Sequence, residues 1–163
     1  MRFRSEARAL AAAAAMIGLG ASSGCAETDI STTAETSAGP ARVEAMAGPF
    51  DQPWGFAFLP DGDVLVTEKG GALWRARPAP LSEGAARAKV AGAPEVAAGG
   101  QGGLLDVAVA PDFAQSGVIY LTYSERADGG LARTTAARAR LAGGAEAPRL
   151  ENLEPIFRQQ PAV

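Results

Sequence analysis

The chain beats in short apolar runs of strand length, broken by turn residues, and the beat recurs. Residues 54–77 read WGFAFLPDGDVLVTEKGGALWRAR, and residues 105–141 read LDVAVAPDFAQSGVIYLTYSERADGGLARTTAARARL. Each segment opens with an apolar run that ends at Pro-Asp, at Pro60-Asp61 and at Pro111-Asp112. Each continues through a second run, DVLVTE or VIYLTYSE, to a Gly-Gly pair, Gly70-Gly71 or Gly129-Gly130. A third run follows in which arginine alternates with apolar residues, ALWRAR and TTAARARL. Val, Ile, Phe, Tyr, Trp and Thr suit a pleated, half-buried surface. Pro-Asp-Gly is turn chemistry, and a period of two places arginine on one face of a strand and apolar side chains on the other.

The pattern therefore predicts an all-β chain. The two Pro-Asp steps stand roughly 50 positions apart, the spacing of one propeller blade. A blade cannot cover its own faces and needs a neighbour, so residues 43–163 are expected to form about two blades and the start of a third. Closed propellers have about 4–8 blades, and the expectation is of the N-terminal part of a longer propeller. The alanine-rich stretch 85–98 is broken by Gly92 and Pro94 and reads as a strand plus a connection, not a helix.

The first 42 residues have a different rhythm. Arg2, Arg4 and Arg8 precede an apolar run over 9–21, and small residues lead to Cys25. This is the order of a signal peptide over 1–25, and the apolar run is shorter than the ~20 residues of a spanning helix. Ser22-Ser23-Gly24-Cys25 is similar to a bacterial lipobox, with Ser22 where leucine is usual, which makes Cys25 the expected lipidation site and the membrane an expected anchor. Cleavage after Ala26 is the alternative; either way the product is exported. Residues 26–42 are Ser, Thr, Ala, Glu and Pro with little to bury and read as a flexible tether.

Composition narrows the chemistry. Net charge is −3, the pI is near 5.0 and no basic block occurs, so nothing marks a nucleic-acid surface. Histidine is absent and Cys25 is the sole cysteine. That removes the commonest general base, the commonest transition-metal ligand and any intrachain disulfide. Several polar residues have ordinary explanations. Asp61, Asp63 and Asp112 read as turn residues that cap their own backbone, and Asp106 as structural. Glu68 reads as solvated at a strand end, and Arg75, Arg77, Arg138 and Arg140 as a solvated strand face. Trp54 and Trp74 read as packing between blades.

One stretch resists an ordinary account. In Gly99-Gly100-Gln101-Gly102-Gly103 a single amide stands among four glycines. The segment is either a tight turn or a wall where backbone must come close to a ligand.

Residues 53–75, 90–125 (VAGAPEVAAGGQGGLLDVAVAPDFAQSGVIYLTYSE) and 156–161 (IFRQQP) resemble, in order, the periplasmic aldose sugar dehydrogenases of the glucose/sorbosone dehydrogenase family. The resemblance implies a six-bladed β-propeller that oxidises the anomeric carbon of an aldose to a lactone. Hydride would pass to pyrroloquinoline quinone, polarised by Ca2+, with a histidine as base. It implies that Gln101 is a catalytic-site residue beside cofactor and sugar, and that Gly102 lies at the cofactor. The base is expected in a His-x-Gly-x-Arg segment after IFRQQP, outside residues 1–163, as are the calcium ligands and the basic residues that grip the quinone. No metal ligand is therefore assigned here, and the chain by itself is expected to be inactive. Two other readings fit the strand pattern: a surface-anchored binding propeller without catalysis, and a calcium-dependent lactonase-type propeller, in which GGQGGLLD would have no role.

Overall fold

The computed structural model of the chain describes residues 31–163. The signal peptide and Cys25 lie outside the described residues. The strands are β1 (Ser31–Thr36), β2 (Gly39–Glu44), β3 (Pro53–Phe58), β4 (Val64–Glu68), β5 (Leu73–Ala76), β6 (Arg87–Lys89), β7 (Leu104–Val109), β8 (Val118–Arg126), β9 (Ala132–Ala142) and β10 (Arg149–Arg158). They form a hairpin, β1-β2, and two four-stranded sheets, β3-β4-β5-β6 and β7-β8-β9-β10. Each four-stranded sheet is an antiparallel meander in chain order. This is the all-β pattern the sequence predicts, with the strand at Arg87–Lys89 falling in the alanine-rich stretch.

The turns follow from their residues. After β3 the chain reverses through Pro60-Asp61-Gly62: the Leu59 amide donates to the Asp63 carbonyl at 2.8 Å, and Asp61 Oδ1 accepts from the Asp63 amide at 3.1 Å. After β7 the matching Pro111-Asp112 leads instead into one helical turn, Phe113–Ser116, closed by the Gly117 amide on the Phe113 carbonyl at 2.7 Å. The Asp112 side chain makes no capping bond there. Proline stops the strand in both places, and the five residues FAQSG distinguish the two turns.

Side chains paired across the ladder share a face, and the register sorts them. In the first sheet Leu65 and Thr67 of β4 point to one side, while Val64 and Val66 pair with Phe58 and Phe56 on the other. The first side, with Leu59, Leu73 and Val90, packs on Leu104, Val107, Ile119, Leu121 and Tyr123 of the second sheet. The core is thus the layer between the two sheets, where each covers what the other cannot. The edge strands β3 and β7 approach each other. Thr67 ties that seam, its Oγ1 accepting from the Gly55 amide at 2.9 Å and donating to the Leu105 carbonyl at 2.5 Å. A Cβ at Gly55 would lie 2.6 Å from Asp106 Oδ1, so the approach of the strands requires glycine there.

The second side of the first sheet is half-covered. Residues 45–50 cross it, with Ala47 and Phe50 against Val64, Val66 and Ala76. Arg87 holds this strap, its guanidinium 4.4 Å from the Trp74 ring and 5.3 Å from the Phe50 ring. Trp54, Phe56 and Phe58 beyond it stay 48%, 65% and 65% exposed. Neither tryptophan therefore packs between the two sheets as expected: Trp54 is open, and Trp74 stacks with Arg87.

Three further expectations are corrected. Residues 31–42 pair as most of the β1-β2 hairpin, with register from Ser31↔Glu44 to Thr36↔Gly39. Every β1 side chain is exposed, so composition correctly indicates that nothing is buried, but backbone pairing around Thr36 and Gly39 needs no core. Asp63 is no turn cap. It is buried and accepts from Arg75 Nε at 2.8 Å and Arg77 Nε at 2.6 Å, and Arg75, which also reaches Asp61 at 2.5 Å, is only 12% exposed. Glu68 is buried too, its Oε1 accepting from the Asp51 amide at 2.7 Å. Arg77, Arg138 and Arg140 are exposed, as a solvated face requires, with Arg138 and Arg140 paired to Glu154 and Glu151 across β9 and β10.

Candidate cofactor-binding turn

The segment 99–103 lies at the end of the molecule where β3 and β7 begin. The Gly102 amide donates to the Gly99 carbonyl at 2.6 Å, and the Gly99 amide returns a bond to the Gly102 carbonyl at 3.3 Å. Gly100 and Gln101 are therefore the tip of a tight turn, and the Gln101 side chain is exposed.

Two sheets clamp this turn. From the second, the Ser124 amide donates to the Gly103 carbonyl at 2.8 Å and the Ser124 carbonyl accepts from the Ala97 amide at 2.7 Å. From the first, Lys69 Nζ donates to the Gly100 carbonyl at 2.5 Å, and the Lys69 carbonyl accepts from the Leu104 amide at 3.1 Å. Gly103 sits so close to Lys69 that a Cβ would fall 2.2 Å from the Lys69 carbonyl oxygen, at a φ of 153°.

The glycines have unequal jobs. A Cβ at Gly102 would meet the Ala97 carbonyl at 2.8 Å and Ser124 Oγ at 2.9 Å, so Gly102 serves packing, and its N–H is committed to Gly99. At Gly99 and Gly100 nothing lies within 4 Å of that position. The open flank of the turn is thus 99–100, with Gln101 at its tip. Both earlier readings of the stretch hold at once: it is a tight turn, and its outer side is bare backbone.

The same end carries the IFRQQP stretch. Arg158 grips Glu125 with two bonds of 2.8 and 3.1 Å, and Thr135 Oγ1 donates to the same carboxylate at 2.9 Å. The Arg158 bond chiefly, with Thr135 and Arg133 adding, holds the Glu125 carboxyl below its ordinary value against the opposing effect of burial. Burial first, then the Glu125 charge, pushes the neighbouring Tyr123 phenol up. Gln159 closes the link, its amide on the Thr134 carbonyl at 2.9 Å and its Oε1 accepting from the Thr134 amide at 3.1 Å.

Sequence reasoning singled out Gln101 but not Lys69, Gln52 or Ser124, which frame it. Lys69 carried a signal, a lone lysine before Gly70-Gly71 at a predicted turn. Gln52 and Ser124 carried none that local pattern could read, because their roles come from contacts between sheets. Among the described residues no three acidic, histidine or cysteine side chains gather as a metal site. No described helix is long and apolar enough to cross a membrane.

The residues present suit a flat, polar ligand: an exposed amide, bare backbone on one flank and an ammonium beside it. Comparisons with known proteins point the same way. Residues 50–163 match the family model described as Glucose / Sorbosone dehydrogenase. The aldose sugar dehydrogenase YliI of Escherichia coli strain K12 is 43% identical over 127 residues, covering 74% of this chain and 31% of that protein. Among solved structures, the apo-form of the soluble aldose sugar dehydrogenase from Escherichia coli aligns with a TM-score of 0.59 at 43% identity, over 69% of this chain and 31% of that one. The PQQ-bound form of aldose sugar dehydrogenase from Streptomyces coelicolor aligns with a TM-score of 0.59 at 26% identity, over 72% and 33%. The chain thus spans about a third of the length of these relatives, and its two sheets match part of their propeller fold. By sequence and by fold, it belongs to the glucose/sorbosone dehydrogenase family.

Proposed function

We propose that the two sheets are consecutive blades of a six-bladed propeller that oxidises the anomeric carbon of aldose sugars to lactones. The observation that carries this reading is Gln101: an exposed amide at the tip of a clamped turn, in a chain of this family. When bound, pyrroloquinoline quinone would supply the hydride acceptor, with Ca2+ as its Lewis acid. The part of this chain is binding and orientation. The bare flank at Gly99-Gly100 lets a flat ring lie against backbone, and the Gln101 amide, donor and acceptor at once, orients a sugar hydroxyl or a quinone edge. Lys69 and Ser124 hold that amide in place, so its position is fixed before ligand arrives. Gly102 contributes by allowing the turn to close. The chain contains no histidine, and no proton-accepting role is assigned to it. No described residue is proposed as a calcium ligand. Arg2, Arg4, Arg8 and the apolar run after them support export to the periplasm, with Cys25 as the lipid-bearing residue.

The test is dye-linked oxidation of D-glucose by the full-length protein with quinone and Ca2+. Gln101→Ala is expected to raise KM at least tenfold, about 1.4 kcal/mol of lost binding. Lactone hydrolysis without quinone, or no dye reduction, would overturn the proposal.

A further inference from the structure

We propose that a cleft next to Gln101, lined by Asp51, Gln52, Lys69, Gly70, Ala98 and Gly99, is a second sugar subsite that takes the distal ring of a reducing disaccharide. The inference rests on reading the 99–103 turn as the place where the first ring is held. Size is the first argument. The cleft holds about 270 Å³, at the low end of ligand pockets, which run from ~300 Å³ upward; this suits a single ring. Chemistry is the second. A carboxylate accepts, an ammonium donates and an amide does both, which matches hydroxyl groups that donate and accept in turn.

Construction is the third. Gln52 has a φ of 47°, in the left-handed region that side chains other than Gly, Asn and Asp rarely adopt. It also precedes Pro53, and residues before proline are normally pushed to extended backbone. Non-glycine residues held this way cluster at ligand clamps. The hold is visible: the Gln52 carbonyl accepts from the Lys69 amide at 3.0 Å, and the neighbouring Asp51 amide is fixed by Glu68. The Gln52 side chain is nevertheless exposed, toward the cleft it lines. Lys69 joins the two subsites, its backbone on Gln52 and its ammonium on Gly100, one residue from Gln101. A ring at Gln101 and a ring in the cleft would be neighbours.

The experiment is an NMR titration of the chain with maltose and with D-glucose, following backbone amides. Maltose is expected to give saturable shifts at Gln52, Lys69, Gly70 and Gly99 with at least fivefold higher affinity than glucose. Gln52→Ala should weaken maltose binding at least fivefold. Gln52→Gly should weaken it equally while raising the thermal midpoint, because glycine adopts this backbone without strain. That opposite movement separates a ligand contact from a structural one: loss of both stability and binding in Gln52→Gly overturns the proposal. So do equal affinities for the two sugars, unchanged binding in Gln52→Ala, or no saturable shifts at these amides. A parallel titration with pyrroloquinoline quinone reads Gln101. Quinone shifts at Gln101 without maltose shifts at Gln52 sink the subsite alone, and the reverse sinks the quinone reading while the subsite stands.

Discussion

The two four-stranded sheets share a topology and differ in what they show on their outer faces. The first has strands of 3–6 residues and an outer face of Phe56, Phe58, Val64 and Val66, part of it under the 45–50 strap. The second has strands of 6–11 residues, and its outer face carries Tyr120, Arg138 and Glu154 in register. Charge is placed oppositely too. The first sheet buries Asp63 with Arg75 on its inner side, whereas the second keeps its pairs in water. The same strand pattern can thus be stabilised by a few dry contacts or by long ladders with a wet face, and ion pairs should differ in worth accordingly.

The largest expected effect breaks the first sheet. Asp63→Ala leaves the Arg75 charge buried without its main partner and should destabilise by about 3–5 kcal/mol, the cost of orphaning one member of a buried pair, read from urea unfolding. Next comes the clamp between sheets. Gly103→Ala forces a methyl group into the Lys69 carbonyl and should cost about 1–3 kcal/mol, with hydrogen exchange rising at Leu104 and Gly102.

A smaller effect separates the sheets by pH. Asp63 is held below its ordinary pKa of 3.8, chiefly by the Arg77 hydrogen bond and then by Arg75, while burial opposes. Its stabilisation is complete above the unfolded value of ~3.9 and is lost as pH falls through the lower folded value. Wild type should lose stability between about pH 5 and about pH 3, and Asp63→Asn should lose less over that range. Glu125, lowered mainly by Arg158, contributes a residual slope from the second sheet, which Glu125→Gln should remove. Smallest of all, Glu154→Ala should cost about 0–1 kcal/mol, because its pair with Arg138 is solvated and screened. An equal cost for Asp63→Ala and Glu154→Ala would erase the distinction between the sheets.

Strand order and turn positions were legible in the sequence because they depend on local pattern: Pro-Asp steps, Gly-Gly pairs and alternating arginine. Gln101 was legible because four glycines isolate it. What was not legible depends on the third dimension. Arg75 and Arg77 look identical in an alternating run, yet Arg75 turns to a buried carboxylate and stays dry while Arg77 reaches it from water. Asp63 looks like a second turn residue after Pro-Asp-Gly, and only the register shows that it falls on the inner side with Leu65 and Thr67. The hairpin at 31–44 was missed because a composition rule counts what can be buried and is blind to backbone pairing.

The clamp on Gly103 and Gly100 has a consequence for inheritance. Lys69 belongs to one sheet and the turn it grips leads into the other, so neither half specifies the shape of the turn. A crossover between homologous genes in the connection after β5 would unite a lysine from one parent with a turn from another. Such hybrids should fold sheet by sheet and still misalign the glutamine, which makes residues 69 and 99–103 a unit to be exchanged together.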